Sequence, residues 1–333
     1  MRFLSSSQPR RLLPNANATA TALGKIPTHP EFLSHRTGQE PLESFESWLE
    51  AGIGLASHRH GPAWTNAFEL GGVQGFVWRA PGTSKCDILL SGIMFPSCDS
   101  VGRHYPLAVV GEVPARIVKC APHVVPLAFG DFLERAHDAS ADFATLAPGD
   151  LASRLSVVGP PTAEDVERAA ADYDAWCSAT PAANAWSAVF TDHPVERSRL
   201  VIEGLRDLTA AIRGVETPER AMTVRLPLGE VGPASAALWL DVVRRLCGWN
   251  ATVPSTFWAV EAGSLLVALG DADPGMLASL WYRDPNGDGI WDATLATEAP
   301  PASMAPLSVR MADAAPPLRF DGPMTNLLAS LTR

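Results

Sequence analysis

Leu42, Phe45, Leu49 and Ile53 recur at three- and four-residue intervals with Trp48 beside them, while Glu43, Glu46 and Glu50 fall on the other side. That spacing predicts an amphipathic helix. Before it, Ala20 to Ile26 reads as a short strand stopped by Pro27; after it, Pro62 to Phe68 adds another helical turn or two. Gly75 to Ala80, Ile88 to Phe95 and Tyr105 to Val110 are short apolar runs bounded by turn residues, the pattern of strands. Residues 129 to 155 read as helical with weaker periodicity. Gly159-Pro160-Pro161 then punctuates the chain.

Thr162 followed by Asp165 predicts a capped start to a helix through Val166, Ala170, Tyr173 and Trp176. Val201, Leu205, Leu208 and Ile212 mark another. Met222 to Leu228 reads as strand, and Trp239, Val242, Val243 and Leu246 as helix with an Asp241–Arg245 pair on its polar side. Thr256 to Val260 and Leu265 to Leu269 read as strands around Gly263. Connections this short require antiparallel neighbours, because parallel ones need a long crossover. The expected fold is therefore α+β: mixed, mainly antiparallel sheets with helices packed on their faces, in two domains. The expected boundaries are a disordered leader over 1–20, an N-terminal α+β domain over 21–160, a C-terminal α+β domain over 161–297, and a Pro- and Ala-rich tail over 298–333 that drapes on the surface or frays. Strand, helix, strand, strand occurs in both halves, but the residues do not match.

Charge narrows the partners. The 26 Lys and Arg against 36 Asp and Glu give a net charge of −10, which repels phosphate backbones and anionic lipid. With no run of basic residues, nucleic acid is not an expected partner. Without a long apolar run, neither is membrane insertion. Five cysteines, an odd number with no paired C-x-x-C, fit reduced thiols in a cytoplasm.

Chemistry concentrates in Pro96-Ser97-Cys98-Asp99-Ser100-Val101-Gly102-Arg103-His104-Tyr105-Pro106-Leu107. A hydrolase reading would make Cys98 or Ser97 the nucleophile, His104 the base and Asp99 its orienter. Triads, however, draw their parts from separate elements rather than from one turn. The alternative is a polar turn in which Asp99 and Ser100 bond their own backbone and Gly102 takes a positive φ. Asp284-Pro285-Asn286-Gly287-Asp288-Gly289 opens like a calcium loop, but Leu295 stands where the twelfth, acidic ligand belongs, so a plain turn is expected. His58-Arg59-His60 reads as a solvated helix end rather than a metal seed. The row Glu43, Glu46 and Glu50 reads as a solvated face, or as an acidic docking edge. Walker, zinc-protease and dinucleotide signatures are all missing, so no cofactor or metal is expected.

Four stretches together resemble a known family. They are Gly24-Lys25-Ile26-Pro27-Thr28-His29-Pro30-Glu31-Phe32, Trp48-Leu49 on the first helix, Gly92-Ile93-Met94-Phe95-Pro96-Ser97, and Asp99 through Leu107. They are similar to the TagF (ImpM) family, whose pattern runs G-K-L-P-x-x-G-D-F, then a helix bearing Trp, then a strand into P-S-x-D-x-V-G-R-x-F/Y-P-L. The resemblance covers residues 21 to 120; Leu226 to Trp249 and Phe257-Trp258 resemble the C-terminal part of longer members. The chain departs from the pattern at His29-Pro30-Glu31, where Arg-Gly-Asp is common; Glu31 keeps the carboxylate. The resemblance implies a non-enzymatic, cytoplasmic accessory protein of bacterial type VI secretion. It would repress apparatus assembly by contacting the system's forkhead-associated scaffold protein. Transferred from the motifs, the candidate partner contacts are Glu31, Asp99, Arg103, His104 and Tyr105, with Arg103 able to pair a carboxylate on its own fold or on the scaffold.

Overall fold

The computed structural model describes residues 19–34, 40–82, 88–216, 218, 221–229, 232–259, 263–284, 289–295 and 317–332. The first half contains β1 (Thr21–Gly24), β2 (Leu33–Ser34), α1 (Glu40–His60), α2 (Pro62–Glu69), β3 (Gln74–Trp78), β4 (Ile88–Phe95) and β5 (Leu107–Pro114). Helices α3 (Val125–Ala128), α4 (Gly130–Ser140), α5 (Pro148–Leu155), α6 (Ala163–Ala179), α7 (Ala182–Ser187) and α8 (Pro194–Thr209) follow. The remainder comprises β6 (Met222–Pro227), α9 (Pro233–Cys247), β7 (Thr256–Ala259), β8 (Ser264–Leu269), α10 (Ala278–Trp281), β9 (Ile290–Asp292) and α11 (Met324–Ala329).

Among the described residues the nine strands form one sheet, in the order β2-β1-β5-β4-β3-β7-β8-β6-β9. Every pairing is antiparallel except β6 with β9. The expected antiparallel neighbours β7 and β8 are there, and the fold is α+β with a mixed sheet. The join lies between β3 and β7, with Phe76 opposite Phe257. Strands from both segments therefore lie in a single sheet.

Alternation along β4 explains the layers, because successive side chains of a strand point to opposite faces. Leu90 and Met94 face α1, packing with Phe45, Trp48, Phe76, Phe257 and Leu277. On the other face, Ile93 and Phe95 meet Phe132 of α4 and Leu151 and Leu155 of α5. Leu89 and Val77 join the large cluster under α6, α7, α8 and α9. Ordinary helix signals hold these layers in place. Thr162 accepts from the Asp165 N–H at 3.3 Å while the Asp165 carboxylate accepts from the Thr162 N–H at 2.9 Å, so the capping box closes.

Several expectations need correction. The helix expected over 129–155 is two helices, because the chain turns after Ser140 and restarts at Pro148, a residue suited to a first helical turn. Tyr105 precedes β5 instead of beginning it. The Asp241–Arg245 pair forms at 2.9 Å, yet Asp241 is buried rather than on a polar side. Its carboxylate accepts from Arg244, from Arg245 and from the Tyr173 hydroxyl at 3.3 Å. The described part of the tail does not drape: Leu318, Phe320, Met324, Leu327, Leu328 and Leu331 are buried in the main cluster. The expected leader lies outside the described residues up to residue 18. Ala20 is already in the fold, its N–H donating to the Val158 carbonyl at 2.9 Å.

Candidate functional site

The loop between β4 and β5 folds back on itself. Cys98 and His104 face each other as an antiparallel bridge, and the Tyr105 N–H donates to the Ser97 carbonyl at 3.0 Å. At the tip the Asp99 N–H donates to the Arg103 carbonyl at 3.1 Å, and the Gly102 N–H to the Asp99 carbonyl at 2.9 Å. Gly102 takes φ = +84°, the conformation expected for it and one that glycine adopts without steric cost.

Asp99 is the hub. Its Oδ1 accepts from the N–H groups of Val101 at 3.1 Å and Arg103 at 2.9 Å. Its Oδ2 lies 2.6 Å from Arg103 Nε and 3.0 Å from Lys25 Nζ. Burial by itself raises the pKa of this carboxyl. The Arg103 N–H, Lys25, the Arg103 guanidinium and the Val101 N–H outweigh it and hold the group well below the usual carboxylate range.

The same loop is bound to the segment that follows β1. Ser97 Oγ donates to the Lys25 carbonyl at 2.7 Å, the Ser100 N–H to the His29 carbonyl at 3.2 Å, and Arg103 Nη2 to the Pro30 carbonyl at 2.9 Å. Phe32 and Tyr105 meet edge to face at 5.0 Å between ring centroids. At Gly24 (φ = +125°) a side chain would run into the Pro106 carbonyl. Two stretches some seventy residues apart in sequence thus make one braced unit. On its other flank, His104 Nε2 lies 2.6 Å from Glu69 Oε1 at the end of α2.

The five residues singled out from sequence all belong to this unit, but at different depths. Glu31 is exposed beside Pro30, the Arg103 side chain is 63% exposed, and His104 is half-buried. Asp99 and Tyr105 are buried and reach a partner only through the residues they hold. The Tyr105 hydroxyl has no hydrogen-bond partner among the described residues. Burial, with Glu46 and Glu50 nearby, pushes its pKa well above the ordinary phenol value. Sequence reasoning missed the roles of Lys25 and Glu69, and the exposure of Val101 at the tip and Leu70 after α2. Lys25 had a signal, its place in the first motif. Glu69 had none, since α2 meets the loop only in three dimensions.

Two of the groups the catalytic reading needs are otherwise engaged, while Cys98 stands opposite His104 as a free, half-buried thiol. The Ser97 hydroxyl is turned to the Lys25 carbonyl, and His104 Nε2 to Glu69. A groove of about 350 Å³ lies elsewhere, between α6 and the α3–α4 segment, lined by Leu127, Asp131, Asp165, Arg168 and Asp172. Positions 285–288 of the calcium-like loop lie outside the described residues. His58 and Arg59 are exposed at the end of α1, as a solvated helix end requires, and the His60 ring packs 4.8 Å from that of Tyr282. Along the acidic row, Glu43 and Glu50 are exposed and Glu46 half-buried. Among the described residues no group of three or more His, Cys, Asp or Glu could hold a metal ion, and no helix is long and apolar enough to cross a membrane.

No curated protein matches the chain significantly. One solved structure similar to it is that of PA0076 from Pseudomonas aeruginosa PAO1 at 2.05 Å resolution. It is 19% identical, with a TM-score of 0.38, over 43% of this chain and 64% of that one, so the likeness spans less than two thirds of the solved protein. The family model of the TagF N-terminal domain, type VI secretion system-associated, matches residues 21–155. That span runs from β1 through α5 and contains every residue of the braced unit, so this part of the chain is similar to the TagF N-terminal domain, type VI secretion system-associated.

Proposed function

We propose that this chain is a non-enzymatic, cytoplasmic regulator of type VI secretion, acting by protein–protein contact through the loop that joins β4 and β5. In this reading it represses assembly of the apparatus by holding the system's forkhead-associated scaffold protein. The observation that carries the proposal is the division of labour within the loop. Asp99 is wholly buried and holds the backbone rigid, while Arg103, anchored to it, keeps most of its side chain in solvent. A rigid scaffold presenting exposed polar groups on a loop is the usual arrangement of a recognition surface. The non-enzymatic part draws on Ser97 and His104, whose polar atoms serve hydrogen bonds that brace the loop.

The test is capture of the purified scaffold protein from the same secretion cluster by the immobilised chain, with Arg103→Ala as control. Capture that disappears in the variant while its melting temperature stays within a few degrees of the parent supports the proposal. A parent chain that captures no scaffold, or substrate turnover abolished by Ser97→Ala or Cys98→Ala, overturns it.

A further inference from the structure

Arg103 has five N–H donors on its side chain. Nε is engaged by Asp99 and Nη2 by the Pro30 carbonyl, and no described residue accepts from Nη1. The guanidinium is therefore pinned along one edge and open at its far end. Pinning matters because most of the cost of using a long side chain in an interface is the loss of its rotamer freedom, and here that loss has already occurred on folding. Nor does Asp99 depend on Arg103 alone. Two backbone N–H groups and Lys25 Nζ already serve it, so a residue needed only to satisfy the carboxylate would not have to reach into solvent.

Charge defines what the open end receives. Lys25 and Arg103 against Asp99 leave the cluster with one net positive charge, and Lys25 is largely covered, so that charge is presented at Arg103. Glu31 follows Pro30, whose carbonyl holds Nη2, and Glu69 pairs with the adjacent His104; both are exposed. The open guanidinium donors attract an anion locally, and the two carboxylates repel a dianionic phosphate more than a single carboxylate. Two apolar side chains of the same surroundings are exposed, Val101 two residues before Arg103 at 68% and Leu70, next to Glu69, at 89%.

Resting on the proposed contact role of this loop, we infer that Arg103 is the anchor for a single carboxylate of the partner protein. The partner's Asp or Glu meets Nη1 end-on, and apolar partner side chains cover Val101 and Leu70. Geometry of this kind distinguishes arginine from lysine, whose ammonium is a compact point charge without a planar fork.

The test is calorimetric titration of the scaffold protein into the parent chain and into Arg103→Lys, Arg103→Glu and Val101→Asp. Arg103→Lys is expected to weaken binding about tenfold or more, as loss of a charge-assisted hydrogen bond does. Arg103→Glu is expected to abolish binding and to regain it when one Asp or Glu of the scaffold is changed to Arg. Val101→Asp sits on the exposed tip, so its folding is undisturbed and its carboxylate competes for the guanidinium. It is expected to weaken binding even if the Arg103 variants prove unstable. If the parent binds while Arg103→Lys and Val101→Asp bind equally well, this inference fails and the contact role survives. If only phosphorylated scaffold binds, the carboxylate assignment fails. If the parent does not bind the scaffold, both fall together.

Discussion

The indole N–H of Trp48 donates to the carbonyl oxygen of Ala272 at 2.9 Å, a buried hydrogen bond spanning 224 residues of sequence. Trp48 also stacks on Phe257 at 5.3 Å, so the first helix rests as much on the C-terminal strands as on its own. Cutting the chain between α5 and α6 would strip Phe76 and Trp48 of these neighbours and turn β3 into an open apolar edge. Residues 19–160 expressed alone are therefore expected to be insoluble, or to lack near-ultraviolet circular dichroism. Trp48→Phe in the full chain keeps the stack and leaves the Ala272 oxygen unpaired, at a cost of about 1–3 kcal/mol by urea titration.

Asp99 gives the second expectation. Asp99→Ala leaves Lys25 and two backbone N–H groups facing a vacated site, and leaving such donors unsatisfied costs about 1–3 kcal/mol. Chemical denaturation measures it. Because the folded-state pKa is depressed, this contribution is complete above the ordinary carboxylate value of about 4 and drains away as pH falls below it. In Asp99→Ala that strongly acid part of the stability curve is expected to flatten.

How much of this could be read from sequence depended on whether the cause was local. Strand Ile88–Phe95 was legible to the residue because it is an apolar run between turn residues, and the Thr162–Asp165 cap because both partners lie within one turn. The Asp241–Arg245 pair was legible as a pair, but not its burial. Helix α9 buries eleven of its fifteen residues, so no polar face exists to infer. The β3–β7 join had no local signal, since each strand reads alike whichever neighbour it takes. Likewise, Asp99 and Arg103 were legible as polar loop residues, but nothing in their order says that one points inward and the other out. Lys25, Pro30 and Glu69, which decide that, come from elsewhere in the chain.

His123 sets a different pH window. Burial drives its pKa down to about 4; Asp241 opposes the shift, while Arg244 and Arg245 add to it. Asp174, Tyr173 and Cys177 of α6 lie in the same environment. Between about 6.5 and 4 the unfolded chain binds a proton here that the folded chain refuses, so stability falls as pH drops through that range, by about 3 kcal/mol in all. His123→Phe removes both the titrating group and an Nδ1 that has no hydrogen-bond partner among the described residues. Melting temperatures from pH 7 to 4 are expected to fall less steeply in the variant than in the parent, and parallel curves would refute the assignment.

The end of the chain supplies the last expectation. The Ala182 N–H donates to the Gly322 carbonyl at 2.8 Å and the Met324 N–H to the Thr180 carbonyl at 2.9 Å, fastening the tail to the junction of α6 and α7. Beyond that clasp Met324, Leu327, Leu328 and Leu331 are buried at spacings of three and four, one apolar face of a short helix. Each large apolar side chain buried contributes about 1.5–3 kcal/mol, so the segment outweighs the margin by which most domains are stable. Ending the chain at residue 316 is expected to abolish cooperative unfolding. Met324→Asp, which buries a charge in that face, should do nearly the same, while Thr325→Asp on the exposed side leaves the urea midpoint within experimental error. A surface drape would make all three changes equally harmless; a docked helix separates the first two from the third.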